Sequence, residues 1–173
     1  MNYFEINVEC MKKHRNPLYQ KLQDNNLQDK NKPERIQSLP AKDGELYLTI
    51  QKISKEYRLN SSYSPQNEAK KWIEQYSFHN MNIIISLFGF GSGAFAREIK
   101  KNKGEGDVVF IYEPSLDVFR HVLHHYDVSD ILADNTIVLS IEGVNEFEFH
   151  SLLQETVNIT NYNTQIRCTH PFY

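Results

Sequence analysis

Gly89, Gly91 and Gly93 alternate with Phe90 and Ser92 directly after the apolar run Ile83 to Phe88, and Glu113 closes a second apolar run, Val108 to Tyr112. Residues of these types in this order suit a nucleotide-type ligand. Glycines let the backbone approach a phosphate or a methionine moiety, a following helix offers free N–H groups, and a carboxylate at the end of the next strand accepts from ribose hydroxyls. Gly89 to Ala94 satisfies G-x-G-x-G, as in S-adenosylmethionine sites, and also G-x-G-x-x-A, an accepted form of the dinucleotide fingerprint. Twenty-two positions separate Gly91 from Glu113, near the roughly 20 usual between turn and acid. The expected ligands are therefore a nucleotide, a nucleotide sugar or S-adenosylmethionine, held by Gly89, Gly91, Ser92, Gly93 and Glu113. Leu87, Phe88, Phe90 and Tyr112 could line a slot for a base. The same residues equally suit a tight strand-to-helix turn in which Glu113 caps the helix after Pro114, and the sequence leaves both open.

Positioning these groups requires a β-α-β unit, and the hydrophobic pattern supplies one. Asn82 to Phe88 is predicted as a strand, Ser92 to Lys101 as a helix and Asp107 to Tyr112 as a second strand. Ser115 caps a helix over Leu116 to Tyr126, whose buried stripe is Leu116, Phe119, Val122, Leu123 and Tyr126. A short turn at Ser129 to Ala133, a strand over Thr136 to Ile141, a helix over Val144 to Val157 and a strand near Thr164 to Thr169 follow. Alternation of this kind predicts a Rossmann-like α/β fold, a parallel sheet with flanking helices. Upstream, Ser64-Pro65 opens a helix with Ala69, Trp72, Ile73 and Tyr76 on one face. Leu46 to Ile53 and Lys55 to Tyr63 suggest a small antiparallel hairpin. The expected organisation is a polar N-terminal arm over 1–44, with one short helix near Pro17 to Gln23, and an α/β domain over 45–173.

Composition narrows the function classes. The chain has 173 residues and a formal charge of −3, which argues against a dedicated nucleic-acid surface. Met11 to Gln37 is locally basic, with seven Lys and Arg against three acids, and its polar make-up predicts a solvated, poorly ordered segment. Cys10 and Cys168 stand far apart in no ligand spacing, the mark of a reduced, cytoplasmic protein. No apolar run approaches the about 18 residues of a membrane helix, and Met1 to Cys10 has no secretion-signal pattern.

Other constellations carry less. His121 and His125, at i and i+4, could chelate a metal, but the apolar stripe of their helix points elsewhere, so these histidines and His124 are expected to face water. No metal site is expected. Glu142, Glu146 and Glu148 suit a solvated helix start. No nucleophile triad, P-loop or spaced carboxylate pair stands out, so no catalytic residue is assigned.

The order Tyr63-Ser64-Pro65-Gln66-Asn67-Glu68-Ala69, Phe88-Gly89-Phe90-Gly91-Ser92-Gly93, Tyr112-Glu113-Pro114, Asp127-Val128-Ser129-Asp130-Ile131-Leu132 and His170-Pro171-Phe172-Tyr173 resembles the N-terminal domain of the motility-associated factor (Maf) glycosyltransferases. These bacterial proteins are implicated in placing nonulosonic acids on flagellin. The resemblance covers roughly residues 46–173 and implies that transferase chemistry belongs to a central domain that would follow Tyr173. It implies an accessory α/β domain that contacts flagellin or a transferase domain, with Gly89, Gly91, Gly93 and Glu113 matching the family's glycine and acid motifs. The alternative is a small S-adenosylmethionine-dependent methyltransferase using Thr169-His170-Pro171-Phe172 as its catalytic turn, although that turn has one Pro and no preceding Asp or Asn. Only 80 residues follow Gly93, too few for a full methyltransferase sheet or for the second half of an NAD-dependent oxidoreductase.

Overall fold

The computed structural model describes residues 2–24, 35–52, 55–78, 82–159 and 164–173. Helices α1 (Tyr3–His14) and α2 (Asn16–Asp24) come first, followed by strands β1 (Arg35–Pro40), β2 (Leu46–Lys52) and β3 (Lys55–Arg58). Helix α3 (Pro65–Ile73) leads into β4 (Ile83–Phe88), α4 (Ala94–Asn102), β5 (Val108–Glu113) and α5 (Leu116–His125). The chain continues through α6 (Ser129–Leu132), β6 (Ile137–Ile141), α7 (Glu146–Ile159) and β7 (Thr164–Thr169).

Strands β4 to β7 form a parallel sheet in the order β6-β5-β4-β7. A helical crossover precedes each of β5, β6 and β7, as a parallel ladder requires. The Rossmann-like expectation therefore holds, and the order places a topological switch point between β4 and β7. Alternation along the strands separates two faces. Ile83, Ile85, Leu87, Val109 and Ile111 join Phe95 of α4 and Phe119 of α5 in the main core. On the opposite face, Phe110 and Tyr112 meet Phe149 of α7, with ring centroids 5.7 and 6.0 Å apart.

Local signals account for the helix starts. Ser64 accepts from Asn67 N ahead of Pro65, and Ser115 accepts from Val118 N at 3.2 Å. Ala69, Trp72 and Ile73 are buried, as their spacing predicts. Trp72 lies edge-on to Phe95 at 4.8 Å, and its Nε1 donates to Thr169 O at 3.2 Å, seating α3 at the end of β7. The expected hairpin, β2-β3, is joined by β1, from within the segment expected as a polar arm, in a three-stranded antiparallel sheet, β1-β2-β3, with Ile36 opposite Ile50 and Ile50 opposite Tyr57.

The N-terminal segment differs from the polar arm expected. Residues 2–24 fold as two helices that bury Met11, Leu18, Tyr19 and Leu22, while residues 25–34 of the arm lie outside the described residues. Their polarity has a structural use. Asn7, fully buried, donates to Leu123 O and Tyr126 O at 3.0 and 2.7 Å and accepts from Val128 N at 3.1 Å. Arg15 donates to Leu132 O at 2.8 Å and Asp134 O at 2.6 Å. These side chains occupy the carbonyls that every helix end leaves open, so residues that suggest a solvated arm serve instead as caps for α5 and α6.

Candidate functional site

The glycine turn connects β4 to α4, as the sequence predicts, and stands beside the end of β5. Gly89 N donates to Tyr112 O at 2.8 Å, and Gly93 is the residue that precedes α4. Gly89 and Gly91 have φ of 92° and 53°, a backbone region that penalises any side chain. Ser92 is buried within the turn. The structure therefore brings Gly89, Gly91, Ser92, Gly93 and Glu113 together.

What fills the crevice is the chain itself. Because Phe88 is in register with Thr169, the next residue, His170, continues the ladder and donates its N–H to Phe88 O at 2.8 Å. Its ring, fully buried, then lies over Gly91, where an added Cβ would come within 2.6 Å of Nε2. A Cβ at Gly89 would meet Tyr173 Cδ2 at 2.5 Å and His170 Cβ at 2.7 Å. Phe95 packs edge-on against His170 at 4.5 Å and Tyr173 does so at 4.9 Å. The close approach that glycines permit is thus used by His170 and Tyr173. The residues placed at a methyltransferase's catalytic turn divide in the same way: His170 is buried in this packing, whereas Pro171 and Phe172 are exposed.

Glu113 is fully buried, and its carboxylate is the hub of the turn. Oε2 accepts from Phe90 N at 2.9 Å and Gly91 N at 3.1 Å, while Oε1 accepts from Ser115 N at 2.9 Å. The Tyr173 hydroxyl lies 2.9 and 2.8 Å from the two oxygens and donates to the carboxylate. One side chain therefore ties the glycine turn, the start of α5 and the C-terminal segment. Burial pushes the Glu113 carboxyl up to about 7, against the Tyr173 hydroxyl and the N–H groups of Gly91, Ser115 and Phe90, which pull it down. Burial and the neighbouring carboxylate push the Tyr173 hydroxyl up, so it remains a donor. Burial holds His170 down to about 3, hence neutral. Its Nδ1 accepts from Phe172 N at 3.3 Å, which leaves the ring proton on Nε2.

Of the residues expected to line a base slot, Leu87, Phe88 and Tyr112 border one cavity, on the α7 face of the sheet rather than at the turn. Phe90 is buried against Phe119, 5.8 Å away. His121 departs from the water-facing position expected for it. It is buried, its Nε2 is 2.9 Å from Ser38 Oγ of β1, and it stacks on His125 at 3.9 Å, because β1 packs over that side of α5. His124 stacks on Phe4 of α1. Among the described residues no group of three or more His, Cys, Asp and Glu gathers around a common point. No described helix is long and apolar enough to cross a membrane.

His170 and Tyr173 are the site residues that composition and spacing miss. Their role depends on β7 lying beside β4, and strand order is a tertiary property. The turn and the sheet define a Rossmann-like α/β domain whose switch-point crevice is occupied by its own C-terminal segment. No protein-family model and no curated protein matches the chain. Among solved structures, a Maf glycosyltransferase from Magnetospirillum magneticum AMB-1 is similar with a TM-score of 0.52 at 13% identity, over 95% of this chain and 32% of that one. At that identity the likeness is one of fold, and the chain spans about a third of that protein's length.

Proposed function

We propose that this chain is an accessory, non-catalytic α/β module of the kind carried by Maf flagellin glycosyltransferases, acting through contacts with flagellin or a transferase domain. The observation that carries this reading is the saturation of Glu113, whose carboxylate accepts from three backbone N–H groups and the Tyr173 hydroxyl. A ribose would have to displace Tyr173, and a phosphate would have to displace His170. The fold likeness to one part of a Maf glycosyltransferase supports the same reading. Under it, Gly89 and Gly91 hold the residues after β7 against the turn, and Gly93 packs against Val128 and Ile131, instead of holding a nucleotide.

The test is calorimetric titration of the intact chain with S-adenosylmethionine, NAD, CMP sugars and UDP sugars, then with flagellin and with a transferase chain lacking this domain. The expected result is heat with a protein partner, and no nucleotide heat that Glu113→Gln abolishes. Micromolar binding of any nucleotide that is lost in Glu113→Gln would instead make the turn a ligand site.

A further inference from the structure

Among the described residues, the α7 face of the parallel sheet is only half covered: helix α7 lies over β5 and β6 through Phe149, and none of them lies over the strip along β4 and β7. All-parallel sheets as a rule have both faces covered. Here the strip and the first turn of α7 enclose a groove of about 480 Å3, within the range of small-molecule sites. Its wall is aromatic. Phe88 and Tyr112 stack with centroids 5.6 Å apart, Phe149 stands edge-on to Tyr112, and Phe147 projects over the opening with 84% of its surface exposed.

One cation stands in the floor. Arg167 of β7 is in register with Ser86 of β4 and points to the face that carries Phe88 and Tyr112. It is exposed, and no carboxylate of the described residues forms an ion pair with it. Ser86 accepts from Gln165 Nε2 at 3.2 Å, and Glu146 and His150 border the groove from α7 without a bond to the guanidinium. A planar, weakly hydrated guanidinium among aromatic rings can hold a carboxylate or phosphate with two parallel hydrogen bonds. An apolar, aromatic-lined cavity with one such polar group matches the usual make-up of a small-ligand site.

We propose that this groove binds a small amphipathic anion, with a flat apolar body against Phe88 and Phe149 and its phosphate or carboxylate on Arg167. Phe147 covers the apolar body from the α7 side.

Calorimetry on the full chain tests this with adenosine monophosphate and indole-3-acetate, which separate a phosphate source from a carboxylate source, and with adenosine and indole as uncharged counterparts. At least one anion should bind with a submillimolar Kd. Its uncharged counterpart should bind about tenfold more weakly, the worth of one charge-assisted hydrogen bond. Arg167→Gln should weaken the anion by a similar factor, Arg167→Lys should restore part of it, and Phe88→Ala should weaken both forms. Thermal unfolding of these exposed-site variants serves as the folding check. Binding abolished by Glu113→Gln but not by Arg167→Gln would place the ligand at the glycine turn and overturn this proposal along with the accessory-module reading. Absence of submillimolar binding by either anion overturns the groove proposal alone. So does a dimer in sedimentation that Phe147→Ser dissolves, because the face would then belong to a second copy.

Discussion

Replacing Gly91 with Ala separates a turn that holds a ligand from a turn that holds the chain's own His170. Two costs add. At φ 53° an L-residue loses about 1 to 2 kcal/mol to steric conflict between its Cβ and the carbonyl oxygen. The new Cβ would also stand 2.6 Å from His170 Nε2 and 3.2 Å from its Cδ2, distances at which the ring must move. The ring has little room, since Phe95 and Tyr173 pack against it at 4.5 and 4.9 Å and the residue is fully buried. Overpacking of this kind costs about 1 to 3 kcal/mol, for a total near 2 to 5. Urea unfolding of Gly91→Ala, His170→Ala and the double variant forms a cycle. The overpacking part should vanish once the ring is gone, which gives a favourable coupling of about 1 to 3 kcal/mol, while the φ cost remains. A Gly91→Ala variant of unchanged stability, or two single effects that simply add, would refute the packing argument.

Other outcomes follow from the same geometry. At pH 8, where Glu113 is ionised, Tyr173→Phe removes a donor from a buried carboxylate and should cost about 1.5 to 3 kcal/mol in thermal or urea unfolding. The two perturbed groups act in opposite directions with pH. Glu113, raised from 4.5 to about 7, contributes stability that is lost as pH rises through that window, whereas His170, lowered from 6.5 to about 3, contributes stability that is lost as pH falls below 6.5. Wild-type stability should therefore be nearly flat between pH 4.5 and 6.5, climbing with pH in Glu113→Gln and falling with pH in His170→Gln, each by about 1.4 kcal/mol per unit. Two sloped variants with the opposite signs would contradict the assignment. Asn7→Ala leaves Leu123 O, Tyr126 O and Val128 N without their partner and should cost about 2 to 4 kcal/mol, whereas a solvated arm would give no change.

The parts of the fold legible in the sequence were those set by local chemistry. Ser64-Pro65 and Ser115 marked helix starts because a hydroxyl before an apolar stripe satisfies open N–H groups. The runs from Ile83 and Val108 marked the buried strands of the parallel sheet. The glycine turn and its nearness to Glu113 were legible because a β-α-β unit brings the two together whatever the rest of the fold does. The partner of that turn was not. His170 and Tyr173 reach it only because β7 returns beside β4, and nothing local to residues 164–173 specifies that neighbour. Asn7 and Arg15 misled for a related reason, since a polar side chain that caps a distant helix has the same composition as one that faces water. His121 misled as well, because β1 covers a face of α5 that the helix's own apolar stripe leaves polar.

The central claim is that His170 and Tyr173 occupy the switch-point crevice above Gly89 and Gly91. Proton NMR measures this contact directly. Nuclear Overhauser effects should run from the Gly91 Hα protons to the His170 imidazole and from the Gly89 Hα protons to the Tyr173 ring, and should persist when S-adenosylmethionine or NAD is added at millimolar concentration. Their absence, or their replacement by contacts from Gly91 to the added nucleotide, would contradict the account.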